Sequence, residues 1–211
     1  MIFRSQAGRF FVLSAPSGAG KSTVKNLLLA RRPELVYSVS FTTRPPRPGE
    51  EDGLDYNFVT WERFREMIEA EDFLEWAEVF GNFYGTGRSW VWERLKAGQN
   101  VIADMDVQGG ASVRRLWPEA ILIFMVPSSA AEIRRRLAAR GTESREELAL
   151  RLDEARAEIA LARARDYDFL LVNDDLEKAV SDLEAIIDRG RGLSLAEAES
   201  FWRDFFHDQP S

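Results

Sequence analysis

Four short runs of almost wholly apolar residues recur along the chain, at 9–14, 100–104, 120–126 and 168–172. Runs of this length without alternating polar positions are typical of strands that are buried on both faces. Segments with helical spacing lie between them, and the first of these covers 23–31. The pattern therefore predicts an α/β fold in which helices cover both faces of a parallel sheet.

Two segments have a different pattern of apolar, polar and charged residues. Residues 37–60 alternate between apolar and polar positions around the turn-rich 45–50, which predicts an inserted, small β-rich lobe. Residues 128–165 have helical spacing and many arginines, which predicts a helical lid. We expect one domain over 8–188. Its parts are a core at about 8–36, 98–126 and 168–188, the lobe at about 37–97 and the lid at about 127–167.

The remaining residues, 189–211, form a predicted amphipathic helical tail. Ser194 and Glu197 have the spacing of a capping box, and apolar side chains follow every three or four residues up to Phe205. Packing on its own core or on a second subunit is favoured over membrane contact, because the segment is acidic and lacks a basic face. The sequence leaves monomer and homo-oligomer open.

Composition excludes several classes of protein. The 211 residues include no cysteine and one histidine, His207, which disfavours zinc sites, disulfides and a Ser/His/Asp triad. The net charge of −7 disfavours nucleic acid as a partner. We expect a cytoplasmic protein without membrane contact, since no apolar run approaches the roughly 20 residues of a membrane span and the N-terminus lacks a signal-like stretch.

A glycine loop joins the first predicted strand to the first helix. It runs from Ala15 to Ser22, and its spacing matches the phosphate-loop motif G-x-x-x-x-G-K-[ST] except that Ala15 stands at the first glycine position. Backbone N–H groups of such a loop bind phosphate, and Lys21 would reach the β- and γ-phosphates. A glycine-rich turn with a surface lysine is the disfavoured alternative. The predicted ATP-binding residues here are Ala15, Pro16, Ser17, Gly18, Ala19, Gly20, Lys21, Ser22 and Thr23.

A carboxylate ends the second apolar run at Asp104. In a P-loop NTPase-type fold, an acid at this place holds Mg²⁺ or its waters, and the hydroxyl of Ser22 is a second candidate ligand. The position alone is a weak signal, because any strand can end in aspartate. Asp106 could share the role or contact the acceptor.

Seven separated strings, in family order between about residues 9 and 188, resemble guanylate kinases. The strings are 14–23, 38–50, 55–59, 81–86, 104–109, 140–143 and 172–175. Phosphate loops occur in many enzymes, but the string Thr-Thr-Arg-x-x-Arg-x-Gly-Glu together with Gly-Asn-x-Tyr-Gly-Thr is nearly diagnostic of this family. The resemblance implies transfer of the γ-phosphoryl group of Mg²⁺-bound ATP to GMP, within purine nucleotide metabolism.

The resemblance also implies roles for individual residues. The lid arginines would contact phosphates, and Lys21, Arg47, Arg140 and Arg151 would be catalytic. The expected additions to the ATP site are Arg136, Arg140, Asn173 and Asp174. The expected GMP site is Ser40, Arg44, Arg47, Tyr56, Glu75, Tyr84, Thr86, Asp104, Asp106 and Arg151.

Glu75 shows how much depends on the resemblance. A carboxylate there would accept hydrogen bonds from N1–H and the 2-amino group of guanine, which adenine does not offer. From the local pattern alone, Glu75 reads as a residue on the surface of a helix.

Two rival functions remain. A ribose bisphosphate phosphokinase would keep Lys21 and the lid but would not need Glu75 or Tyr84. A guanylate-kinase-like scaffold domain would bind partners without catalysis, but such domains usually lose the phosphate loop that this chain keeps.

Overall fold

The computed structural model describes residues 7–79, 81–139, 145–164 and 167–207. Its strands are β1 Phe10–Ser14, β2 Val36–Tyr37, β3 Phe41–Thr42, β4 Asn57–Phe58, β5 Phe73–Val79, β6 Asn82–Gly87, β7 Val101–Asp104, β8 Ile121–Val126, β9 Phe169–Val172 and β10 Leu193–Ser194. Its helices are α1 Lys21–Arg31, α2 Trp61–Glu69, α3 Arg88–Lys96, α4 Val107–Leu116, α5 Ala130–Ala138, α6 Arg145–Arg163, α7 Leu176–Arg189 and α8 Glu199–His207. A 3₁₀ turn covers Leu195–Glu197.

The larger sheet has six strands in the order β10-β9-β8-β1-β7-β2. The four apolar runs of the sequence form its central strands, and β2 with β7 and β8 with β9 pair in parallel. Ile123 lies opposite Phe169, and Val126 lies opposite Val172. The predicted α/β fold with a parallel sheet is confirmed. The short edge strand β10, which pairs antiparallel with β9, has no counterpart in the sequence prediction.

Contacts divide the described residues into two compact units. The first unit is drawn from 1–11, 34–103 and 112–120, and it holds the smaller sheet, of order β4-β3-β6-β5. On this sheet packs an aromatic cluster in which the rings of Phe64 and Phe73 stack with centroids 4.4 Å apart. Phe83 joins the cluster against Phe64 and Trp61. The alternating pattern of the sequence predicted strands in this stretch, and the helices α2 and α3 were not predicted.

The second unit is drawn from 12–33, 104–111 and 121–211, and its helices include α1, α5, α6, α7 and α8. Ser194 caps the 3₁₀ turn before α8, since its Oγ accepts a hydrogen bond from the N–H of Glu197. α8 is amphipathic, and its Trp202 and Phe205 are 3% and 1% exposed. The ring of Trp202 lies against Phe124 of β8. The tail therefore packs on the core of its own unit.

Among the helices that the structure describes, none combines the length and the apolar character needed to cross a bilayer.

Replacing Trp202 with alanine tests the packing of α8. We expect Trp202→Ala to lower the free energy of unfolding by about 3–5 kcal/mol, because a large buried aromatic side chain is lost and a cavity remains. Urea unfolding followed by circular dichroism measures this value. Arg203→Ala, which changes the exposed neighbour on the same helix, is the matched control. A loss below about 1 kcal/mol for Trp202→Ala would mean that α8 contributes little to the core.

Candidate active site

The glycine loop lies between the buried strand β1, which ends at Ser14, and helix α1, which begins at Lys21. Gly18 and Gly20 have φ values of 81° and 88°, in the left-handed region that favours glycine. A Cβ on Gly20 would also lie 2.9 Å from Nδ2 of Asn173. Ala15 lies outside the left-handed region, so the backbone conformation does not require glycine there. The structure thus has the strand, loop and helix order that binds phosphate at a helix N-terminus.

Two lysines meet the carboxylate of Asp104 at the end of β7. The Nζ of Lys21 lies 3.3 Å from Oδ2 of Asp104, and the Nζ of Lys25, one helical turn later, lies 3.4 Å from Oδ1. Lys21 also donates a hydrogen bond of 3.3 Å to the carbonyl of Met105. These contacts hold the ammonium group of Lys21 beside the loop. Asp104 is thereby partly neutralised.

Asp106 caps the helix that follows. Its Oδ1 accepts a hydrogen bond of 2.7 Å from the N–H of Gly109, three residues into the turn where α4 begins. Its carbonyl accepts from the hydroxyl of Ser14 at 3.3 Å. Asp106 itself is exposed. In this structure, its carboxylate has a helix-capping role that the sequence analysis did not anticipate.

Arg136 and Asn173 both donate to the carbonyl of Ala19 in the glycine loop. Arg136 reaches it with NH1 at 3.1 Å, and Asn173 reaches it with Nδ2 at 2.7 Å. Arg136 also donates to the carbonyl of Asn173 at 2.8 Å. The guanidinium that the sequence analysis assigned to ATP phosphates is thus engaged with backbone carbonyls here.

Glu132 orients Arg136 from one turn earlier on α5. Its Oε1 lies 2.6 Å from Nε of Arg136, and both of its oxygens accept from Arg135. Hydrogen bonds from Arg135 and then Arg136 lower the pKa of the Glu132 carboxyl to about 2. Glu132 was not identified from the sequence. Its spacing to Arg136, i to i+4 on a helix, is a signal that could have found it.

The other residues of this unit that were predicted to bind nucleotide differ in burial and in hydrogen bonding. Arg151 lies partly buried on α6. Arg140 lies outside the described residues. Oδ1 of Asp174 accepts a hydrogen bond of 2.9 Å from the N–H of Ser128, which fixes the turn after β8. Ser22 and Thr23 are exposed in the first turn of α1.

Glu158 of α6 contacts the glycine loop directly, which the sequence analysis missed. Its Oε2 accepts a hydrogen bond of 3.2 Å from the backbone N–H of Ser17. The two residues are 141 positions apart, so no local pattern could have paired them.

In the first unit, Glu50 organises two of the predicted GMP-phosphate residues. Both of its oxygens accept from the guanidinium of Arg44 at 2.9 Å, and Oε2 also accepts from the backbone N–H of Arg47 at 2.7 Å. The bond from Arg44, followed by that from Arg47, lowers the pKa of the Glu50 carboxyl to about 2. The same pairing raises the pKa of Arg44. Glu50 lies in one of the strings that resemble guanylate kinases, but no role was predicted for it.

Two tyrosines surround Arg44. The guanidinium carbon of Arg44 lies 5.4 Å from the ring centroid of Tyr56, and the rings of Tyr56 and Tyr84 are 5.9 Å apart. A hydrogen bond between Arg44 and Tyr84 contributes to the raised pKa of Arg44. The structure therefore brings three predicted phosphate-binding residues together. Ser40 lies in the segment just before β3, where its carbonyl accepts from the N–H of Asn57 at 2.9 Å.

Glu75 and Thr86 are cross-strand neighbours on β5 and β6. The hydroxyl of Thr86 donates a hydrogen bond of 2.7 Å to Oε1 of Glu75. Thr86 is fully buried and Glu75 is partly exposed. The reading of Glu75 as part of a helix from its local pattern is wrong, because the aromatic residues around it pack on a sheet. The register of the two strands shifts between Phe73 and Glu75, and such irregularities re-aim side chains near binding sites.

Within the part of the chain that the structure describes, no three acidic or histidine side chains group into a metal site. Ser22 and Asp104 offer one hydroxyl and one carboxylate. This donor set fits Mg²⁺ bound mainly by water and substrate phosphates, since Mg²⁺ keeps several waters and takes only one or two carboxylates. It does not fit an ion that requires a full cage of protein ligands.

The low pKa of Glu50 predicts how stability depends on pH. Its ordinary value is 4.5 and its value in the folded protein is about 2. The stabilisation by this carboxylate is therefore present above about pH 5 and is lost as the pH falls toward 2. We expect the free energy of unfolding to fall less steeply between pH 5 and pH 3 in Glu50→Gln than in the wild type. Urea unfolding at each pH measures the slope, with exposed Glu119→Gln as the control; equal slopes in all three proteins would contradict the prediction.

The chain is similar to guanylate kinases in its sequence and in its fold. The family model described as guanylate kinase matches residues 7–190. A guanylate kinase of Dechloromonas aromatica is 46% identical over 90% of this chain and 92% of its own, and one of Symbiobacterium thermophilum is 49% identical over 85% and 84%. The crystal structure of guanylate kinase from Anaplasma phagocytophilum has 31% sequence identity and a TM-score of 0.69, covering 97% of this chain and 98% of that one. The chain belongs to the guanylate kinase family.

Proposed function

We propose that this protein transfers the γ-phosphoryl group of ATP to GMP and releases ADP and GDP. The observation that carries the proposal is the hydrogen-bonded pair of Glu75 and Thr86, in a chain that also keeps a complete strand, glycine loop and helix. The loop accounts for a nucleoside triphosphate as donor. The pair accounts for guanine in the acceptor. Membership of the guanylate kinase family supports both halves of the reaction.

On the donor side, the glycine loop would hold the phosphates of ATP. Its backbone N–H groups and the N-terminus of α1 provide a positive potential for the phosphate oxygens. Lys21, held beside the loop by Asp104 and Met105, would neutralise charge on the β- and γ-phosphates. Phosphoryl transfer needs little covalent chemistry from the protein, so charge neutralisation and alignment account for most of the catalysis.

Mg²⁺ would be held by the hydroxyl of Ser22 and, through water, by Asp104. When bound, the ion offsets negative charge on the phosphates and orients them. The two lysines that contact Asp104 limit how strongly this carboxylate can bind a cation directly. That restriction favours a contact through water.

The lid arginines would act on the phosphates in different ways. Arg136 supports the loop by bonding to the carbonyl of Ala19, and a direct phosphate contact would require it to exchange a backbone acceptor for a phosphate oxygen. Arg151 and Arg140 remain candidates for contact with the transferred group. Asn173 is buried against the loop, so we propose that it shapes the site near adenine, while Asp174 fixes the adjoining turn.

On the acceptor side, the phosphate of GMP would be bound by arginine and tyrosine side chains. These are Arg44, Arg47, Tyr56 and Tyr84, with Ser40 as a further hydroxyl donor. A guanidinium fork matches two phosphate oxygens, and tyrosine hydroxyls add neutral donors. Glu50 holds the fork of Arg44 in a fixed orientation before substrate arrives. Such preorganisation reduces the entropy lost on binding.

Glu75 would read the base. The hydroxyl of Thr86 donates a hydrogen bond to Oε1 of Glu75, which orients a carboxylate whose chemistry suits the N1–H and 2-amino donors of guanine. Adenine lacks this pair of donors, so AMP would make neither of these hydrogen bonds to the carboxylate. A ribose bisphosphate acceptor would make no use of the pair.

GMP recycling in purine metabolism, a cytoplasmic location and the absence of nucleic acid partners all stay predictions.

Lys21→Ala tests the donor site. We expect kcat to fall by about 100-fold or more, because a cation is removed from the transferring phosphates. A coupled assay of ADP release with Mg-ATP and GMP measures kcat. Lys25→Ala, which also removes a lysine from Asp104, is the control and should lose much less. Turnover retained in Lys21→Ala would show that the loop lysine is not catalytic.

A panel of acceptors tests the proposed reaction and the base reader together. ADP release is measured with GMP, AMP, CMP, UMP or ribose bisphosphate offered in parallel, and we expect strong selectivity for GMP. Glu75→Gln should lower kcat/KM for GMP by about 10- to 100-fold, because a charged acceptor is lost, while KM for ATP changes little.

Glu78→Gln, at an exposed position on the same strand, is the control for the panel. No turnover of the wild type with any acceptor would favour the scaffold-domain alternative. An equal loss toward ATP and GMP in Glu75→Gln would mean that Glu75 is structural.

A further inference from the structure

The side chain of Glu158 contacts the glycine loop at the backbone N–H of Ser17. Backbone N–H groups of such a loop are the donors that bind phosphate oxygens. A carboxylate oxygen is chemically similar to a phosphate oxygen, since both are anionic acceptors. Glu158 therefore meets the loop with the same kind of atom that a nucleotide phosphate would bring.

The surroundings of Glu158 make its charge costly. It sits on the middle of α6, partly buried, and its neighbours Ala155 and Ile159 are each 1% exposed. Burial is the largest cause of the raised pKa of the Glu158 carboxyl, which the bond from Ser17 opposes. Among charged groups, Asp106 raises this pKa further and Lys21 lowers it, with a smaller raising effect from Glu154. An anion is thus kept near Lys21 although the position is unfavourable for it.

Helical spacing links this contact to the lid. Arg151 precedes Glu158 by seven residues, or two turns, so both side chains project from the same face of α6. Because Glu158 bonds to Ser17, the face of α6 that carries Arg151 is the face that is turned toward the glycine loop. The carboxylate of Glu158 thus connects the predicted lid to the glycine loop.

We propose that Glu158 is a further residue of the ATP site, whose carboxylate occupies a phosphate position on the glycine loop and is displaced when the nucleotide binds. The proposal rests on the proposed function, because it requires a nucleoside triphosphate on this loop. The Ser17 N–H can serve one of the two anions at full strength. Nucleotide affinity is then set partly by the work of moving Glu158 away from Lys21 and Ser17.

Removal of the charge at constant shape tests the proposal. Glu158→Gln retains an oxygen acceptor for Ser17 but loses the negative charge. We expect it to bind the Mg²⁺ complex of an unreactive ATP analogue with a Kd about threefold to tenfold lower than the wild type, the size expected for one partly solvated like charge. Isothermal titration calorimetry at pH 8 measures Kd. Inorganic tripolyphosphate, titrated in parallel, should show the same gain because the effect concerns the phosphates.

Glu154→Gln is the matched control. It removes the same charge from the same helix one turn earlier, at an exposed position, and its Kd should stay close to that of the wild type. Equal gains in both variants would show a general charge effect and overturn the proposal. Unchanged or weaker binding by Glu158→Gln would also overturn it. A residue that only holds α6 in place would still accept the hydrogen bond from Ser17 after replacement by glutamine.

Two further readouts separate the possible failures. If the wild type binds neither probe, the proposed function fails as well; if the wild type binds and Glu158→Gln shows no gain, only the role of Glu158 fails. The ¹H–¹⁵N resonance of Ser17 should move on addition of the analogue to the wild type, as its bond to Glu158 is replaced. A Ser17 resonance that stays in place at saturation would contradict displacement. Thermal unfolding of both variants confirms that they are folded.

Discussion

An ion pair with a carboxylate of the same unit fixes the position of each of three cations that are predicted to bind phosphate. Lys21 lies against Asp104, Arg136 against Glu132 and Arg44 against Glu50. In each pair the carboxylate also fixes where the cation points, since the contacts are hydrogen bonds of defined geometry. The predicted phosphate-binding side chains are therefore positioned by acids, and two of these acids, Glu132 and Glu50, are not among the residues predicted to contact a substrate.

The acids lower the attraction of each cation for phosphate, but they also limit the orientations of its side chain. An acid beside each cation weakens the attraction that the cation exerts on phosphate, because part of its charge is already neutralised. The same acid reduces the number of orientations that a long side chain must lose on binding. Glu50 illustrates this balance. Its carboxylate accepts hydrogen bonds from both terminal nitrogens of Arg44, while the guanidinium carbon of Arg44 lies over the ring of Tyr56. On the loop the signs are reversed, and Glu158 bonds to a donor instead of orienting a cation.

Much of the fold followed from local signals. The four apolar runs predicted β1, β7, β8 and β9 within one or two residues, because a strand buried on both faces carries mostly apolar side chains. The glycine loop predicted its own conformation, since Gly18 and Gly20 adopt backbone angles that other residues avoid. The strand β10 and the helices α2 and α3 were missed. Their sequences are short or amphipathic, and packing partners elsewhere in the chain decide their conformation.

The sequence by itself determined the class of fold, the glycine loop and, through the resemblance, the family and the residue types that the reaction requires. Only the tertiary structure decided which of these residues meet. It placed Glu75 on a strand opposite Thr86, engaged Arg136 with the carbonyl of Ala19 and brought Glu158 to Ser17. The physical reason is range: periodicity and turn chemistry act over a few residues, whereas hydrogen bonds and charges at the site join residues that are up to 154 positions apart.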